Sequence, residues 1–214
     1  MMARVRFDDA VIPLQAAWSS PFVRWQGPAA GINSLDLAEQ VTRRALERTK
    51  AEWRFDELVL GWTVPQKDGF YGAPTLAARL GLGVGGPMIH QACATGVATL
   101  HHAAAGLDGA NAKLVVTTDR TSNGPHLVWP GAGPGGTVES ENLVVDGFDR
   151  DPTTNGSMLS TAERVAAQAG FRKEELDELT AHRYSQYEDG LADDRAFQRR
   201  FIVPITAGSR REPL

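Results

Sequence analysis

The sequence predicts an α/β protein whose strands and helices alternate as βαβαβαβ around a mostly parallel mixed sheet. Short apolar runs at residues 57–62, 87–91 and 112–118 have the length and composition of buried strands. Segments with helical periodicity, residues 73–80 and 95–107, lie between these runs. Because parallel neighbours need a crossover connection, this alternation predicts helices packed on the faces of the sheet.

The first third of the chain begins with a predicted strand at residues 5–12. The loop that follows, residues 13–31, is rich in Pro and Gly and carries the aromatic residues Trp18, Phe22 and Trp25. We expect such an apolar loop to favour association with another chain, because large exposed apolar patches are unusual on monomers.

The first helix is predicted from residue 34 to about residue 50, with Ser34 as its cap and Asp36 in its first turn. Its apolar stripe consists of Leu37, Val41 and Ala45 or Leu46. The second predicted helix ends at Gly81, since glycine readily adopts the left-handed conformation that closes a helix.

The composition and periodicity of the sequence change after residue 118. Residues 121–156 contain many Gly and Pro residues with weak periodicity, which predicts a long loop. Helices are expected again at 160–169 and 173–190, where the charged run is a solvated face. The sequence therefore predicts two domains, an α/β domain at 1–118 and a partial, mainly helical domain at 119–214.

Composition excludes several classes of function. The chain has 214 residues and 42% hydrophobic content, enough for one substantial core. No apolar run approaches the ~18 residues of a membrane span, and no signal pattern opens the sequence, so we expect a cytoplasmic protein with no membrane partner. The net charge of −4, with mixed signs throughout, does not predict nucleic-acid binding. A single cysteine rules out an internal disulfide.

That cysteine, Cys93, falls at a predicted strand-to-helix turn. Unpaired backbone N–H groups and the helix dipole stabilise a thiolate at this position. Gly96 removes a side chain where a substrate or a second strand would approach. The alternative is that Cys93 is simply a small buried apolar residue.

The segment ACATGVATLHHAAAGL, followed by the strand AKLVVTT, resembles the acyl-accepting cysteine segment of the thiolase family. Thiolases have a Cys, a small residue, Ser or Thr and Gly, then an Ala-rich helix, a strand and an Asn-Pro loop, which here contains Asn123 and Pro125. Two further segments, 158–186 and 201–205, resemble the family's Met-Gly-x-Thr-Ala-Glu helix and its E-I-x-P-V strand.

The resemblance implies a thiolase-like amino-terminal half with a loop domain over its active site. Cys93 would form an acyl-thioester for carbon–carbon bond formation or cleavage, with acyl-CoA or coenzyme A as substrate and no permanently bound cofactor. Met158, Ser157 and Asn123 would lie at the substrate cavity, whereas Ser160 or Thr161 would cap the helix.

In thiolases the activating His and a second acid/base Cys come from the second half. The resemblance therefore implies a complementary carboxyl-terminal thiolase chain and a homo- or hetero-oligomer. After residue 205 the sequence is polar, which predicts that another chain fills one position of the sheet.

Departures from the family pattern point to a divergent branch near the sterol-carrier-type thiolases. Ser157 stands where many biosynthetic thiolases have His, and Leu159 replaces the usual Gly. Residues 117–119 replace much of a Gly-Gly-x-Glu motif. The acyl-chain preference is therefore left open.

The five histidines have no spacing that points to Cys93, and no Cys/His cluster predicts a metal site. Three hypotheses follow: a thiolase-type acyltransferase subunit that needs a second chain, a non-catalytic thiolase-like protein that binds acyl-CoA or a partner enzyme, and a cysteine hydrolase that uses one of its own histidines.

Overall fold

The chain folds into two compact units. The structure is a computed structural model that describes residues 7–49, 51–107, 112–122 and 124–207. The first unit contains Met1–Asn123 together with Phe201–Leu214, and the second contains Gly124–Arg200.

The first unit is built on a three-stranded parallel sheet. Its strands are β1 (Glu57–Gly61), β2 (Met88–Ile89) and β3 (Lys113–Thr117), in the order β2-β1-β3. All three carboxyl ends therefore point to the same edge. The predicted α/β class and the parallel sheet are confirmed.

Three helices accompany the sheet: α1 (Ser34–Thr49), α2 (Gly72–Leu80) and α3 (Thr95–Ala105). As predicted, α2 ends at Gly81, which has φ +73°. The predicted cap of α1 is wrong by one residue. Asn33 accepts the Leu35 N–H at 2.9 Å through its side-chain oxygen, because the residue just before the first turn is placed to receive that bond.

The core of the first unit surrounds β1, where Leu58, Val59 and Leu60 are fully buried. Helices α1 and α2, strand β3 and Trp62, the residue after β1, supply the rest of this cluster. Its other buried members are Leu35, Ala38, Trp62, Ala73, Leu76, Ala77, Leu114 and Val116. The near-continuous apolar sequence of β1 follows from being covered by helices and flanked by strands on both sides.

Residues 201–207, the return segment, also belong to the first unit. Val203 and Ile205 are fully buried and pack with Val41 and Ala45 of α1. The sequence predicted a boundary at 118/119 with residue 201 onward in the second domain. The structure instead divides the chain after Asn123 and returns it at Phe201, because the apolar side chains of the return segment are buried against α1.

One face of α1 also binds the backbone of the return segment. Side chains one turn apart reach its carbonyl groups. Arg48 Nη1 donates to Ile202 O at 2.8 Å, Arg44 Nη1 to Pro204 O at 2.5 Å and Gln40 Nε2 to Thr206 O at 3.3 Å. On its opposite side, the segment forms a parallel bridge between Ile202 and Ser19. The extended backbone is thus hydrogen-bonded without a full neighbouring strand.

The predicted first strand is wrong over its described part. Residues 7–12 form no strand, and the predicted residues 5 and 6 lie outside the described ranges. A turn at Asp8 and Asp9 interrupts the apolar pattern, and Val11 and Ile12 are exposed. Apolar residues without an alternating pattern and a neighbouring strand do not specify a strand here.

The second unit begins with a hairpin of β4 (His126–Pro130) and β5 (Val138–Asn142). The helix α4 (Leu143–Asp149) follows directly. The prediction of one long loop over residues 121–156 is therefore wrong. The high Gly content belongs partly to the connection between two short strands, where Gly133 and Gly135 adopt positive φ.

Three more helices complete the second unit: α5 (Met158–Ala169), α6 (Lys173–Gly190) and α7 (Ala192–Arg199). The first two agree with the predicted helices, and α7 contains three left-handed residues at 193–195. None of residues 124–200 is buried. Among the helices of the described ranges, none combines the length and apolar character needed to cross a membrane.

Candidate active site

Cys93 lies where the sequence placed it, between a strand and a helix. The chain leaves β2, passes through a 3-10 turn at Ala92–Ala94 and enters α3 at Thr95. The Cys93 side chain is exposed, so the interpretation of this residue as a buried apolar residue is wrong. The turn presents the thiol at the carboxyl edge of the parallel sheet, the edge where open α/β folds bind ligands.

The residue before the cysteine has an unusual backbone conformation. Ala92 has φ +45°, in the left-handed region that residues with a Cβ rarely adopt. Such a conformation costs about 1–2 kcal/mol. It persists only where surrounding contacts hold it.

A single hydroxyl group makes two of those contacts. Thr95 Oγ1 accepts the Gln91 N–H at 2.8 Å and donates to Ala92 O at 2.7 Å. Thr95 is only 5% exposed, so water does not compete strongly for these bonds. The hydroxyl thus fixes the two backbone groups that precede Cys93.

A second threonine joins this contact to β1. Thr63 Oγ1 lies 3.2 Å from Thr95 Oγ1 and 3.3 Å from Ala92 O. Since the one proton of Thr95 is directed to Ala92 O, the single hydroxyl proton of Thr63 is shared between Ala92 O and Thr95 Oγ1. The loop after β1 is thereby tied to the cysteine turn.

A carboxylate after β3 completes the network. Asp119 accepts the Thr63 N–H at 2.9 and 3.0 Å and the Val64 N–H at 2.7 Å. Hydrogen bonds to an ionised acceptor are stronger than bonds between neutral groups. Residues just beyond the carboxyl ends of all three strands are therefore joined, from Asp119 through Thr63 to the turn that carries Cys93.

Close packing beneath the turn explains one glycine. A Cβ at Gly61, the last residue of β1, would lie 2.5 Å from Thr99 Oγ1 and 3.0 Å from Thr95 Cγ2. The hydroxyl of Thr99 in turn donates to Thr95 O at 2.6 Å. Gly61 therefore leaves the room that the two threonines of α3 need.

Unlike Gly61, Gly96 has open space where a side chain would lie. A Cβ at Gly96 would meet no heavy atom within 4 Å. Glycine inside a helix costs roughly 0.5–1 kcal/mol relative to alanine. The described residues give no steric reason for glycine here, although the position lies three residues after Cys93.

The other predicted site residues lie elsewhere in the chain. Ser157 and Met158 are neighbours at the start of α5, in the second unit. Ser157, not Ser160 or Thr161, caps this helix, because its Oγ accepts the Ser160 N–H at 3.2 Å. Met158 is partly exposed, and the predicted Asn123 lies outside the described residues.

The histidines have other neighbours. His101 contacts Phe7 edge-on with ring centroids 5.2 Å apart, and His126 lies 3.5 Å from the side-chain amide of Asn142. The described part of the chain contains no group of His, Cys, Asp and Glu residues able to hold a metal ion.

Thr63 and Asp119 were not among the site residues predicted from the sequence. Each follows a predicted strand, at residues 57–62 and 112–118, by one position. Because the carboxyl ends of neighbouring parallel strands meet at one edge, polar residues at these two positions are a usable signal.

Fold and site together define an α/β protein that presents a cysteine on a strained turn at the carboxyl edge of a parallel sheet. The family described as the thiolase N-terminal domain matches residues 12–213. The chain therefore belongs to the thiolase family and corresponds to its amino-terminal half.

Named relatives agree with this assignment. The chain is 27% identical over 197 residues to the acetyl-CoA acetyltransferase of Escherichia coli (strain K12), covering 88% of this chain and 49% of the relative. It is 25% identical over 209 residues to the mitochondrial acetyl-CoA acetyltransferase A of Xenopus laevis, covering 94% of this chain and 49% of the relative. The chain thus spans about half the length of these relatives.

Solved structures show the same fold. The acetyl-CoA acetyltransferase of Bacillus anthracis superposes with a TM-score of 0.77 at 24% identity, covering 91% of this chain and 50% of that one. Human mitochondrial 3-ketoacyl-CoA thiolase in complex with CoA gives a TM-score of 0.70 at 19% identity, covering 87% and 49%.

Proposed function

We propose that this chain is the acyl-accepting part of a thiolase-type acyltransferase, with Cys93 as its nucleophile. The observation that carries the proposal is the exposed thiol of Cys93 on its constrained turn, in a chain that belongs to the thiolase family. The names of the relatives, acetyl-CoA acetyltransferases, support acyl-CoA as the class of substrate.

In the proposed step, Sγ of Cys93 attacks the carbonyl carbon of an acyl-CoA. The bond from that carbon to the CoA sulfur breaks, and the thiol proton of Cys93 ends on the departing CoA. Exchange of one thioester for another conserves the type of bond, so the step needs no large driving force. The stored acyl group is then available to a second acyl-CoA, or the sequence runs in reverse.

The proposed activity requires a complementary carboxyl-terminal segment, supplied by another chain. Two facts support the need for such a segment, whichever chain carries it: the chain spans about half of its curated relatives, and the described residues bring no histidine into hydrogen-bond contact with Cys93. A base is needed to remove the thiol proton as the acyl group transfers. That segment would supply the base, together with the surfaces of a homo- or hetero-oligomer.

Three further residues are proposed to bind substrate, on the resemblance to thiolases alone. They are Met158, partly exposed at the start of α5, its neighbour Ser157, and Asn123. The exposed Phe22 and Trp25 are proposed to contact a partner chain.

The test measures acyl transfer to Cys93 by intact mass spectrometry. The chain is incubated with acetyl-CoA, alone and with a carboxyl-terminal thiolase half as a second polypeptide. We expect an acetyl adduct on the wild-type assembly that Cys93→Ala and Cys93→Ser both lack. An adduct that persists in Cys93→Ala would refute the proposal.

The same samples also distinguish the two alternative functions, a cysteine hydrolase and a non-catalytic binding protein. Continuous release of free CoA by the isolated chain indicates a cysteine hydrolase. Acetyl-CoA binding without an adduct, in the presence of the second polypeptide, indicates a non-catalytic binding protein.

A further inference from the structure

We propose that Thr95 and Asp119 are positioning residues that hold Cys93 in its reactive orientation. The inference concerns the thiol's surroundings and builds on the proposed function of Cys93 as the acyl-accepting group. Neither residue touches the thiol in the described contacts. Both act through the backbone of the turn, Thr95 directly and Asp119 through Thr63.

The strained backbone of Ala92 determines where Cys93 lies. A left-handed alanine relaxes when the groups that hold it are removed. Relaxation would rotate the peptide between Ala92 and Cys93, because φ and ψ of Ala92 set the direction in which Cys93 leaves the turn. The orientation of Sγ relative to the start of α3 therefore depends on the contacts of the Ala92 carbonyl.

The Thr95 hydroxyl makes a shorter hydrogen bond to Ala92 O than the Thr63 hydroxyl does. The Thr95 hydroxyl bonds both Gln91 N and Ala92 O at under 3 Å, from a buried position. Valine has nearly the same shape but cannot accept or donate, so Thr95→Val would leave the Gln91 N–H without its hydroxyl acceptor. Ala92 O would lose its 2.7 Å hydroxyl donor and keep the backbone N–H of residue 95 and the longer contact from Thr63. Serine retains the hydroxyl.

Asp119 fixes the place of Thr63. Its carboxylate accepts two successive N–H groups at the end of β1, and asparagine would turn an N–H₂ donor towards one of them. Asp119→Asn should therefore displace Thr63 and weaken its contacts with the turn that carries Cys93. Because Asp119 is exposed, this change leaves the core packing intact.

The matched control is Thr42→Val. Thr42 is a buried threonine of the first unit whose hydroxyl has no hydrogen-bond partner among the described residues. It controls for loss of a buried hydroxyl in the same unit without disturbing the cysteine turn.

The first measurement is hydrogen exchange at the Gln91 amide of the full chain. We expect faster exchange in Thr95→Val, exchange near the wild-type rate in Thr95→Ser, and no change in Thr42→Val. Unchanged exchange in Thr95→Val would overturn the assigned contact.

The second measurement is the rate of Cys93 acylation at saturating acetyl-CoA in the assembled protein. Misplacing a reacting atom by about 1 Å costs on the order of a hundredfold, so we expect Thr95→Val and Asp119→Asn to be slower by about ten- to a hundredfold with KM little changed. Thr95→Ser should remain within about threefold of wild type. Equal rates in Thr95→Val and wild type, with the exchange effect present, would show that the contact is structural only.

A small activated thioester, S-phenyl thioacetate, separates this inference from the proposed function. It requires the thiol and its immediate surroundings but no CoA-binding surface. Suppose that wild type fails to react with acetyl-CoA but reacts with S-phenyl thioacetate. If Thr95→Val then reacts with S-phenyl thioacetate more slowly than Thr42→Val does, the positioning role stands and the acyl-CoA assignment fails. Equal rates of the two variants would overturn the positioning role.

Discussion

The first and second units use their apolar residues in opposite ways. In the first, the central strand is fully covered, and Leu60 has no exposed surface. In the second, no residue is buried, and Leu159 of α5 is 81% exposed. The helices of the second unit therefore depend on local signals, such as the Ser157 cap and the left-handed Gly170 at the ends of α5. A fold held by long-range packing and one held by helix ends respond differently to mutation.

The largest expected difference is between two leucines. Leu60→Ala should lower the free energy of unfolding by about 2–5 kcal/mol, because it opens a cavity in the core around β1. Leu159→Ala should change it by less than about 0.5 kcal/mol. Urea denaturation of the full chain measures both. Similar losses for the two variants would contradict the contrast between the units.

Two neighbouring glycines, Gly85 and Gly86, test whether the first unit depends on tight packing beside β1. A Cβ at Gly86 would lie 1.8 Å from Leu58 O, so Gly86→Ala must displace the backbone beside β1. We expect a loss of about 1–3 kcal/mol. Gly85→Ala is the control, because a Cβ there meets nothing within 4 Å. Thermal unfolding should separate the two variants, and equal melting temperatures would argue against the tight packing beside β1.

Gly96 is another open position in the first unit, and it lies within helix α3. Gly96→Ala should raise stability by roughly 0.5–1 kcal/mol, since alanine favours a helix and nothing within 4 Å obstructs its Cβ. If an acyl donor occupies the open space, the same change slows acylation of Cys93. Unimpaired acylation would show that the donor does not use this space.

The control for that experiment is Gly147→Ala in α4, where a Cβ also meets nothing within 4 Å. It should favour its own helix without altering acylation. A parallel loss of acylation in Gly147→Ala would indicate a general effect of helix stiffening rather than the use of space near Cys93.

The smallest effect is expected at a turn of the second unit. A hydrogen bond from the Thr154 backbone, followed by one from its side chain, holds the pKa of Asp151 below its ordinary value of 3.8. The turn is therefore stabilised above that pH and loses this stabilisation as the pH falls through the lowered pKa. NMR should show the Thr154 amide titrating in wild type but not in Asp151→Asn. Asp189→Asn should titrate like wild type, and a midpoint above 3.8 would contradict the assignment.

The sequence predicted the elements whose signals are local. The strand at β1, the end of α2 at Gly81 and the turn at Cys93 depend on neighbouring residues, and each is confirmed. Helix α6 was also predicted with its observed bounds, since its acidic first turn and its length are visible in the sequence.

Features that depend on distant partners were not predictable in the same way. Asp119 accepts N–H groups of residues 55 and 56 positions away, so its place after a predicted strand marks it as an edge residue, but the neighbouring sequence does not identify its partners. The return segment was assigned to the wrong unit because its partner, α1, lies far back in the chain. The β4–β5 hairpin was missed because its short, exposed strands carry little apolar periodicity.

The contact between α1 and the return segment sets an order of events during synthesis. Arg44 and Pro204 are 160 positions apart. At about 5–20 residues per second, a ribosome needs on the order of ten to thirty seconds to travel between them. During that interval Val41 and Ala45 lack the cover of Val203 and Ile205, and the whole second unit is made before the return segment emerges. This part of the α1 face is therefore completed only when the end of the first unit has been synthesised.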